Sequence, residues 1–327
     1  MIPRYNALSK TFRALYGRRA RKIPLDAGSA CPNRDGTLSR GGCAFCNAVG
    51  SGTGLYHKGF GLRAQWEALT PPARRRGEAL IAYLQSFTNT YGPAARLADL
   101  LAALAELPDV AGLCLGTRPD CLDATKCALL AAFPGPAGRS VRLELGLQSA
   151  NDATLRRINR GHDSACFARA VREAAAAGIG VTAHLMAGLP GESVPDFLAT
   201  IDFVNALPVS GVKFHNCLVV AGAALEGRFR RGDYTPISRS DYIAAVCAGI
   251  ARLRPDIVVE RLNADPAPGE LVAPDWAADK RGLLAAIAAR LEADDIWQGC
   301  AWEGDGRKNA SGGRGNDSPG PLNARPF

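Results

Sequence analysis

Residues 141–186, VRLELGLQSANDATLRRINRGHDSACFARAVREAAAAGIGVTAHLM, predict two strands joined by a helix. The short apolar run 141–146 predicts the first strand, and the polar segment 148–151 follows it directly. Helical spacing over 164–177 ends at Gly178, and residues 181–186 predict the next strand. Strands that alternate with helices in this way predict a parallel sheet with right-handed crossovers.

The same order of strand, polar motif and helix recurs along the chain. Further strands are predicted at 22–26, 80–85, 112–116 and 212–216, and one of the intervening helices at 95–106. Six such units predict an α/β fold, a partial (β/α)6 TIM-like barrel. We assign this barrel core to residues 22–255.

Three shorter segments flank the predicted core. Residues 1–21 form a basic N-terminal arm, and 256–302 form a short α/β C-terminal extension with a strand at 257–262. Residues 303–327 consist mostly of Gly, Ser, Asn, Asp and Pro and have little apolar surface to bury, so they are predicted to be a disordered tail.

Three cysteines, Cys31, Cys43 and Cys46, lie on the loop after the first predicted strand. A closed zinc or iron–sulfur site takes four protein ligands, so three thiolates leave one coordination position for a substrate or cofactor. A structural zinc site with His57 as fourth ligand is the alternative. A redox Cys-x-x-Cys pair would explain Cys43 and Cys46 but would leave Cys31 without a role.

The 327-residue chain carries a formal net charge of +8, which favours an acidic partner. Basic residues in the N-terminal arm alternate with Tyr5, Phe12 and Tyr16, as in surfaces that contact nucleic acid, although an acidic electron-donor protein would favour the same surface. The sequence contains no membrane-spanning apolar run and begins without an apolar leader, so no membrane partner is expected. Its ten cysteines do not form a secreted disulfide pattern, and a cytoplasmic location is expected.

In α/β barrels the chemistry lies on the loops after the strand carboxyl ends. Those loops here contain the cysteines and several polar or glycine-rich segments. They are QSFTNT at 85–90, GTRPD at 116–120, QSAN at 148–151, GLPGE at 188–192, and His215 with Asn216. A purely structural barrel also has polar loops, so the three cysteines distinguish this chain from one.

These motifs resemble the radical S-adenosylmethionine (SAM) superfamily, in which Cys-x11-Cys-x2-Cys lies on the first loop of a partial barrel. The strings CPNRDG, GGCAFCN, QSFTNTYGP, GTRPDCL, ELGLQSA, LRRINRGH and GLPGE resemble more narrowly the YhcC-like family, whose core is related to the Elongator catalytic subunit. The resemblance covers roughly residues 5–280.

The resemblance implies a [4Fe-4S] cluster and SAM as cofactors. Cys31, Cys43 and Cys46 would ligate three irons, and the fourth iron would chelate SAM. Reduction of the cluster would cleave SAM and give a 5'-deoxyadenosyl radical that abstracts hydrogen from a substrate.

The resemblance also implies where SAM would bind. The candidate contacts are Phe45, Ser86, Thr88, Asn89, Gln148, Ser149, Arg160, Gly188, Pro190 and Gly191, with Glu144 as a neighbour. The usual glycine pair of the amino-group site is missing from 85–90. Arg118, His184 and His215 are candidates for substrate handling or proton transfer within the barrel.

Three functions follow as hypotheses. The first is a radical SAM enzyme that acts on an unidentified substrate, with tRNA as a candidate and an acidic flavodoxin or ferredoxin as electron donor. Acyl transfer and sulfur insertion are not expected, because neither an acetyltransferase domain nor a second cysteine trio is visible. The others are a zinc-stabilised RNA-binding module and a non-catalytic iron–sulfur redox sensor.

Overall fold

A computed structural model describes residues 4–50, 52–133 and 138–304. Seven parallel strands lie side by side in chain order and form one curled sheet, which confirms the predicted partial barrel. These strands are β1 (Ala20–Leu25), β2 (Ala79–Leu84), β3 (Val110–Thr117), β4 (Ser140–Gln148), β5 (Gly180–Ala187), β6 (Gly211–Asn216) and β8 (Val258–Arg261). A small antiparallel pair is formed by β7 (Val219–Val220) and β9 (Leu271–Ala273).

Helices connect the strands, and most of them cover the convex face of the sheet. In chain order they are α1 (Leu8–Tyr16), α2 (Leu62–Leu69), α3 (Pro71–Arg75), α4 (Ala94–Ala105), α5 (Ala124–Ala132), α6 (Asp152–Arg157), α7 (Ser164–Ala176), α8 (Val194–Asn205), α9 (Ala224–Arg230), α10 (Arg239–Arg252) and α11 (Lys280–Ala293). None of the helices in the described ranges is long and apolar enough to cross a membrane.

Alternation along β4 shows how the sequence builds this barrel. Every second residue is apolar and belongs to the main core, and these residues are Val141, Leu143, Leu145 and Leu147. The residues between them point to the opposite face, because successive side chains of a strand alternate. They are Arg142, Glu144, Gly146 and Gln148. The apolar core therefore lies between the sheet and the helices, while the concave interior receives polar side chains.

The predicted N-terminal arm contains a helix that packs against the barrel. Phe12 of α1 is buried with Ile81 and Cys114 of neighbouring strands. Tyr16 hydrogen-bonds the hydroxyl of Ser140, the first residue of β4. Helix α1 therefore lies at the amino-terminal end of the sheet, opposite the cysteine loop.

The C-terminal segment differs from the prediction in one respect. The strand expected in a separate extension is β8, and it pairs in parallel with β6 as the seventh strand of the barrel sheet. The connection between them is long and contains β7, α9 and α10, so the regular spacing of strand and helix is lost there. The predicted tail at 303–327 lies outside the described residues beyond residue 304.

Candidate active site

A cavity of about 330 Å³ opens at the carboxyl ends of the barrel strands. Cys31, Cys43 and Cys46 all line it. The wall also contains the predicted site residues Phe45, Thr88, Arg118, Gln148, Arg160, His184 and His215. The structure thus brings together side chains that are separated by up to about 180 positions in the sequence.

The cysteine loop is held by a network of backbone hydrogen bonds. The carbonyl of Cys31 accepts from the amide of Arg34 at 2.9 Å, and that of Cys43 accepts from the amide of Cys46 at 3.0 Å. The Arg34 guanidinium donates to the Cys46 carbonyl at 2.9 Å. These turns hold the backbone of the loop whose three cysteines line the cavity.

The LRRINRGH motif supports the same loop from the other side. Asn159 donates its side-chain amide to the Gly42 carbonyl at 2.8 Å, and the Ile158 carbonyl accepts from the Ala44 amide at 2.9 Å. Arg160 donates to the Cys43 sulfur at 3.3 Å and to the Gly146 carbonyl. A Cβ on Gly146 would overlap this guanidinium, so glycine makes room for it there.

The chemistry of the thiols favours a cationic group between them. Burial raises the pKa of Cys46, and the charge of a Cys43 thiolate beside it raises that pKa further. Metal binding deprotonates thiols and so compensates this cost. Among the described residues no three His, Cys, Asp or Glu side chains are arranged to hold a single metal ion. A cluster, unlike a single ion, would bind each cysteine through a different iron.

Gln148 ends β4 in a strained conformation that places its amide at the cavity. Its φ angle is 76°, in the left-handed region that non-glycine residues rarely adopt. Its buried Oε1 has no hydrogen-bond partner among the described residues. Strain of this kind costs on the order of 1–3 kcal/mol and is concentrated at functional sites.

Two arginines supply unused donors to the same cavity. Arg118 is buried and binds Asp120 through Nε at 2.9 Å and Nη2 at 2.8 Å, while its Nη1 has no described partner. The Nε of Arg160 is also buried without a described partner. Buried polar atoms are normally satisfied, so these atoms indicate a ligand with acceptor groups.

Six predicted SAM contacts lie outside the cavity wall, namely Ser86, Asn89, Ser149, Gly188, Pro190 and Gly191. Asn89 is fully buried, and its side-chain amide donates to the Gly116 carbonyl at 2.8 Å. Ser149 donates to Glu192. The Gly188 carbonyl accepts from the Tyr234 hydroxyl at 2.6 Å. The contacts described for Asn89, Ser149 and Gly188 hold the loops behind the wall in place.

The concave interior below the cysteines contains a charged network centred on Glu144. Its carboxylate accepts from Lys22 at 2.7 Å, from the Tyr83 hydroxyl at 2.8 Å, and from Lys213. His184 Nε2 lies 3.0 Å from the same carboxylate. Electrostatic attraction to these cations holds the pKa of Glu144 well below its usual range, although burial opposes the charge.

His184 and His215 lie side by side in this interior, with their ring centroids 5.1 Å apart. Burial lowers the pKa of both imidazoles. Both rings are therefore neutral at pH 7. A neutral His184 that donates Nε2–H to Glu144 keeps Nδ1 as an acceptor.

Four members of this interior were not predicted from the sequence, namely Lys22, Tyr83, Lys213 and Glu260. Each lies in a strand of the barrel sheet, where single polar residues are easily mistaken for surface positions. The available signal was alternation: Lys213 and His215 alternate along β6 with Val212 and Phe214, which are both core residues.

The residues present fit an iron–sulfur cluster with SAM. Three thiols line one cavity, the unpaired Gln148 oxygen is an acceptor suited to an amino group, and the unused arginine nitrogens are donors suited to a carboxylate.

Comparisons with known proteins agree with this site. A model of the Radical SAM superfamily matches residues 39–204, and a model of the Radical_SAM C-terminal domain matches 209–293. Protein YhcC of Escherichia coli (strain K12) is 35% identical over 262 residues, which are 80% of this chain and 84% of YhcC.

Two further proteins match a smaller part of this chain. The tRNA uridine(34) acetyltransferase of Dehalococcoides mccartyi is 30% identical over 157 residues, 47% of this chain and 33% of that protein. The structure of archaeal Methanocaldococcus infernus Elp3 superimposes with a TM-score of 0.65 at 19% identity, covering 75% of this chain and 62% of that chain. This structural match shows that the two proteins share a fold. Together with its cysteine loop, these matches show that the chain belongs to the radical SAM superfamily, in its YhcC-like family, and is an enzyme that uses a [4Fe-4S] cluster and SAM.

Proposed function

We propose that Cys31, Cys43 and Cys46 ligate the cluster at the cavity mouth and that the enzyme abstracts hydrogen from a substrate held in the barrel interior. The observation that supports this proposal is a single cavity with the three thiols, unpaired polar atoms and a charged interior along its wall. When bound and reduced, the cluster and SAM supply hydrogen abstraction from an otherwise unreactive C–H bond.

The side chains of this chain would bind and orient SAM. Gln148 Oε1 would accept a hydrogen bond from its amino group, and Arg118 and Arg160 would donate to its carboxylate. Phe45 and Thr88 would contact the rest of the molecule from the same wall. Six other residues would support SAM binding indirectly, because they hold the loops that carry these contacts. They are Ser86, Asn89, Ser149, Gly188, Pro190 and Gly191.

The neutral histidines would handle protons at the substrate. His184 Nδ1 would accept a proton, while Glu144 would stabilise the imidazolium that results, because its carboxylate lies 3.0 Å from Nε2. Arg118 would keep its guanidinium charge and orient acceptor groups.

We expect Gln148→Gly to separate binding from stability. Glycine adopts a positive φ without steric cost, so the free energy of unfolding should be unchanged or higher. SAM binding should weaken roughly tenfold, because the amide acceptor is lost. Equilibrium dialysis of SAM against anaerobically reconstituted protein, with denaturant unfolding alongside, measures both.

Asp109→Gly is the matched control for this variant. Asp109 also has a positive φ, 62°, but it lies just before β3, far from the strand carboxyl ends. This variant should keep full SAM affinity. If Gln148→Gly also bound SAM like the parent, Gln148 would not belong to the SAM site.

We propose tRNA as the substrate class. Support comes from the match to the tRNA uridine(34) acetyltransferase of Dehalococcoides mccartyi and from the net charge of +8. The basic segment 10–21 lies at the opposite end of the sheet from the cavity, so recognition of the reacting nucleotide falls to the cavity wall.

Comparison of modified nucleosides in total tRNA tests this substrate class. A deletion strain should lack or accumulate one nucleoside relative to its parent, and the parent gene should restore the pattern while a Cys43→Ala gene should not. Identical nucleoside profiles in the deletion strain and its parent would exclude tRNA.

We also propose an acidic flavodoxin or ferredoxin as electron donor, which the positive net charge favours. All ten cysteines are free thiols in the structure, which supports a reducing compartment such as the cytoplasm.

A further inference from the structure

The interior of the barrel carries more positive than negative charge. We define the barrel floor as Lys22, Tyr83, Arg142, Glu144, His184, Lys213, Glu260 and Arg261. This set contains four basic side chains, Lys22, Arg142, Lys213 and Arg261, against two carboxylates. Since both histidines of the interior are neutral, they add no charge of their own.

The two carboxylates of the barrel floor are already occupied. Glu144 binds Lys22 and Lys213, as described above. Glu260 accepts from Lys22 through Oε2 at 2.7 Å and from the Thr182 hydroxyl through Oε1 at 2.7 Å. The Nη2 of Arg142 lies 3.4 Å from the same Oε1. Within the described ranges, no carboxylate lies within ion-pair distance of Arg261.

A bulge places Arg261 in this interior. Val212 pairs with Val259, whereas the next residue, Lys213, pairs with Arg261, so Glu260 is the extra residue. A bulge redirects side chains, and here both Glu260 and Arg261 reach the concave face. Arg261 lines the cavity. Burial of His215 is the main cause of its lowered pKa, and the charge of Arg261 contributes to the same shift.

Other unpaired donors lie on the same part of the wall. The Nδ2 of Asn216 and the Nε2 of His215 are buried and have no partner among the described residues. The acids at the adjoining rim are engaged elsewhere: Asp265 accepts from Lys280 at 2.7 Å, and Glu270 accepts from Asn47 at 2.6 Å. The free groups on this wall are therefore a guanidinium, an amide donor and an imidazole nitrogen.

Arg261 is half-buried on the cavity wall, and a partly desolvated guanidinium without a counter-charge favours an anionic ligand. We propose that Arg261, with Asn216 and His215, forms an anion subsite that holds a carboxylate or phosphate group of the substrate. A guanidinium suits both groups because its paired N–H donors match their oxygens. The inference rests on the proposed function only in placing the substrate within the barrel.

The SAM carboxylate is a different anion and has a different site. Arg160 lies 3.3 Å from the Cys43 sulfur, at the cluster end of the cavity, whereas Arg261 neighbours Lys213 in the barrel floor. The test therefore uses protein already saturated with SAM.

Anaerobic thermal unfolding of the SAM-saturated holoprotein tests the subsite. Potassium phosphate and potassium acetate are titrated separately against potassium chloride of equal ionic strength, so the two arms distinguish the phosphate source from the carboxylate source. We expect at least one of them to raise the Tm of the parent protein specifically. In Arg261→Gln the concentration needed should rise at least tenfold, and without added anion this variant should be at least as stable as the parent.

Two further variants test whether the Tm shift depends on the charge and on the position of the arginine. Arg261→Lys keeps the charge and should retain part of the shift. Arg75→Gln removes an exposed arginine of α3 and should leave the shift unchanged. Absence of a specific shift with either anion, or an equal shift in the parent and Arg261→Gln, would overturn the subsite. Because no turnover is measured, such a failure would leave the proposed SAM chemistry untouched.

Discussion

Replacement of Glu144 by Gln is expected to lower the free energy of unfolding by about 3–5 kcal/mol, because the buried Lys213 and the partly buried Lys22 lose a carboxylate partner. Glu144 is fully buried and accepts from Lys22, Lys213 and Tyr83. Burial already lowers the pKa of Lys213 to about 8, so this lysine should become neutral at pH 7 once Glu144 is uncharged. Denaturant unfolding of the anaerobic protein measures the loss.

Glu67→Gln is the matched control for the Glu144 substitution. Glu67 binds Arg63 at 3.0 Å on the exposed surface of α2. Surface pairs of this kind contribute less than about 1 kcal/mol. A Glu144 variant as stable as the Glu67 variant would show that the interior network does not depend on its central carboxylate.

Replacement of Cys43 by Ala is expected to abolish cluster binding. The parent, reconstituted anaerobically, should contain about four iron and four sulfide per chain. Cys43→Ala should lose most of the iron and all SAM-dependent activity, because the two remaining thiolates are too few ligands to retain the cluster. Iron and sulfide analysis, with visible absorption, measures the result.

Cys166→Ala controls for general thiol effects, since Cys166 lies on α7 rather than on the cavity wall. It should keep full iron content. A parent protein that is colourless and carries one zinc would favour the RNA-binding alternative instead. Full iron content in Cys43→Ala would remove this cysteine from the ligand set.

The barrel was predictable because local patterns fix it. Residues 141–148 alternate strictly between core and interior, and 164–177 match α7 to within one residue. The seventh strand was assigned to an extension because its crossover contains a two-residue strand and two helices, which hide the repeating unit. Pairing of β8 with β6 is a tertiary fact that local spacing does not contain.

The candidate site was predictable only in part, for a similar reason. The cysteines share one loop, but Lys22 and Glu144 meet across 122 residues of sequence, and a single sequence does not reveal such pairings. Gly188 has a φ of 82°, and a Cβ there would overlap Ile237. The turn and its packing therefore account for a glycine at this position.

Formation of 5'-deoxyadenosine tests the central claim most directly. Anaerobic protein with an intact cluster is mixed with SAM and dithionite, and the nucleoside is quantified by chromatography. The account predicts that the parent forms it and that Cys43→Ala does not. An intact cluster that forms no 5'-deoxyadenosine from bound SAM would contradict the account and favour a redox sensor.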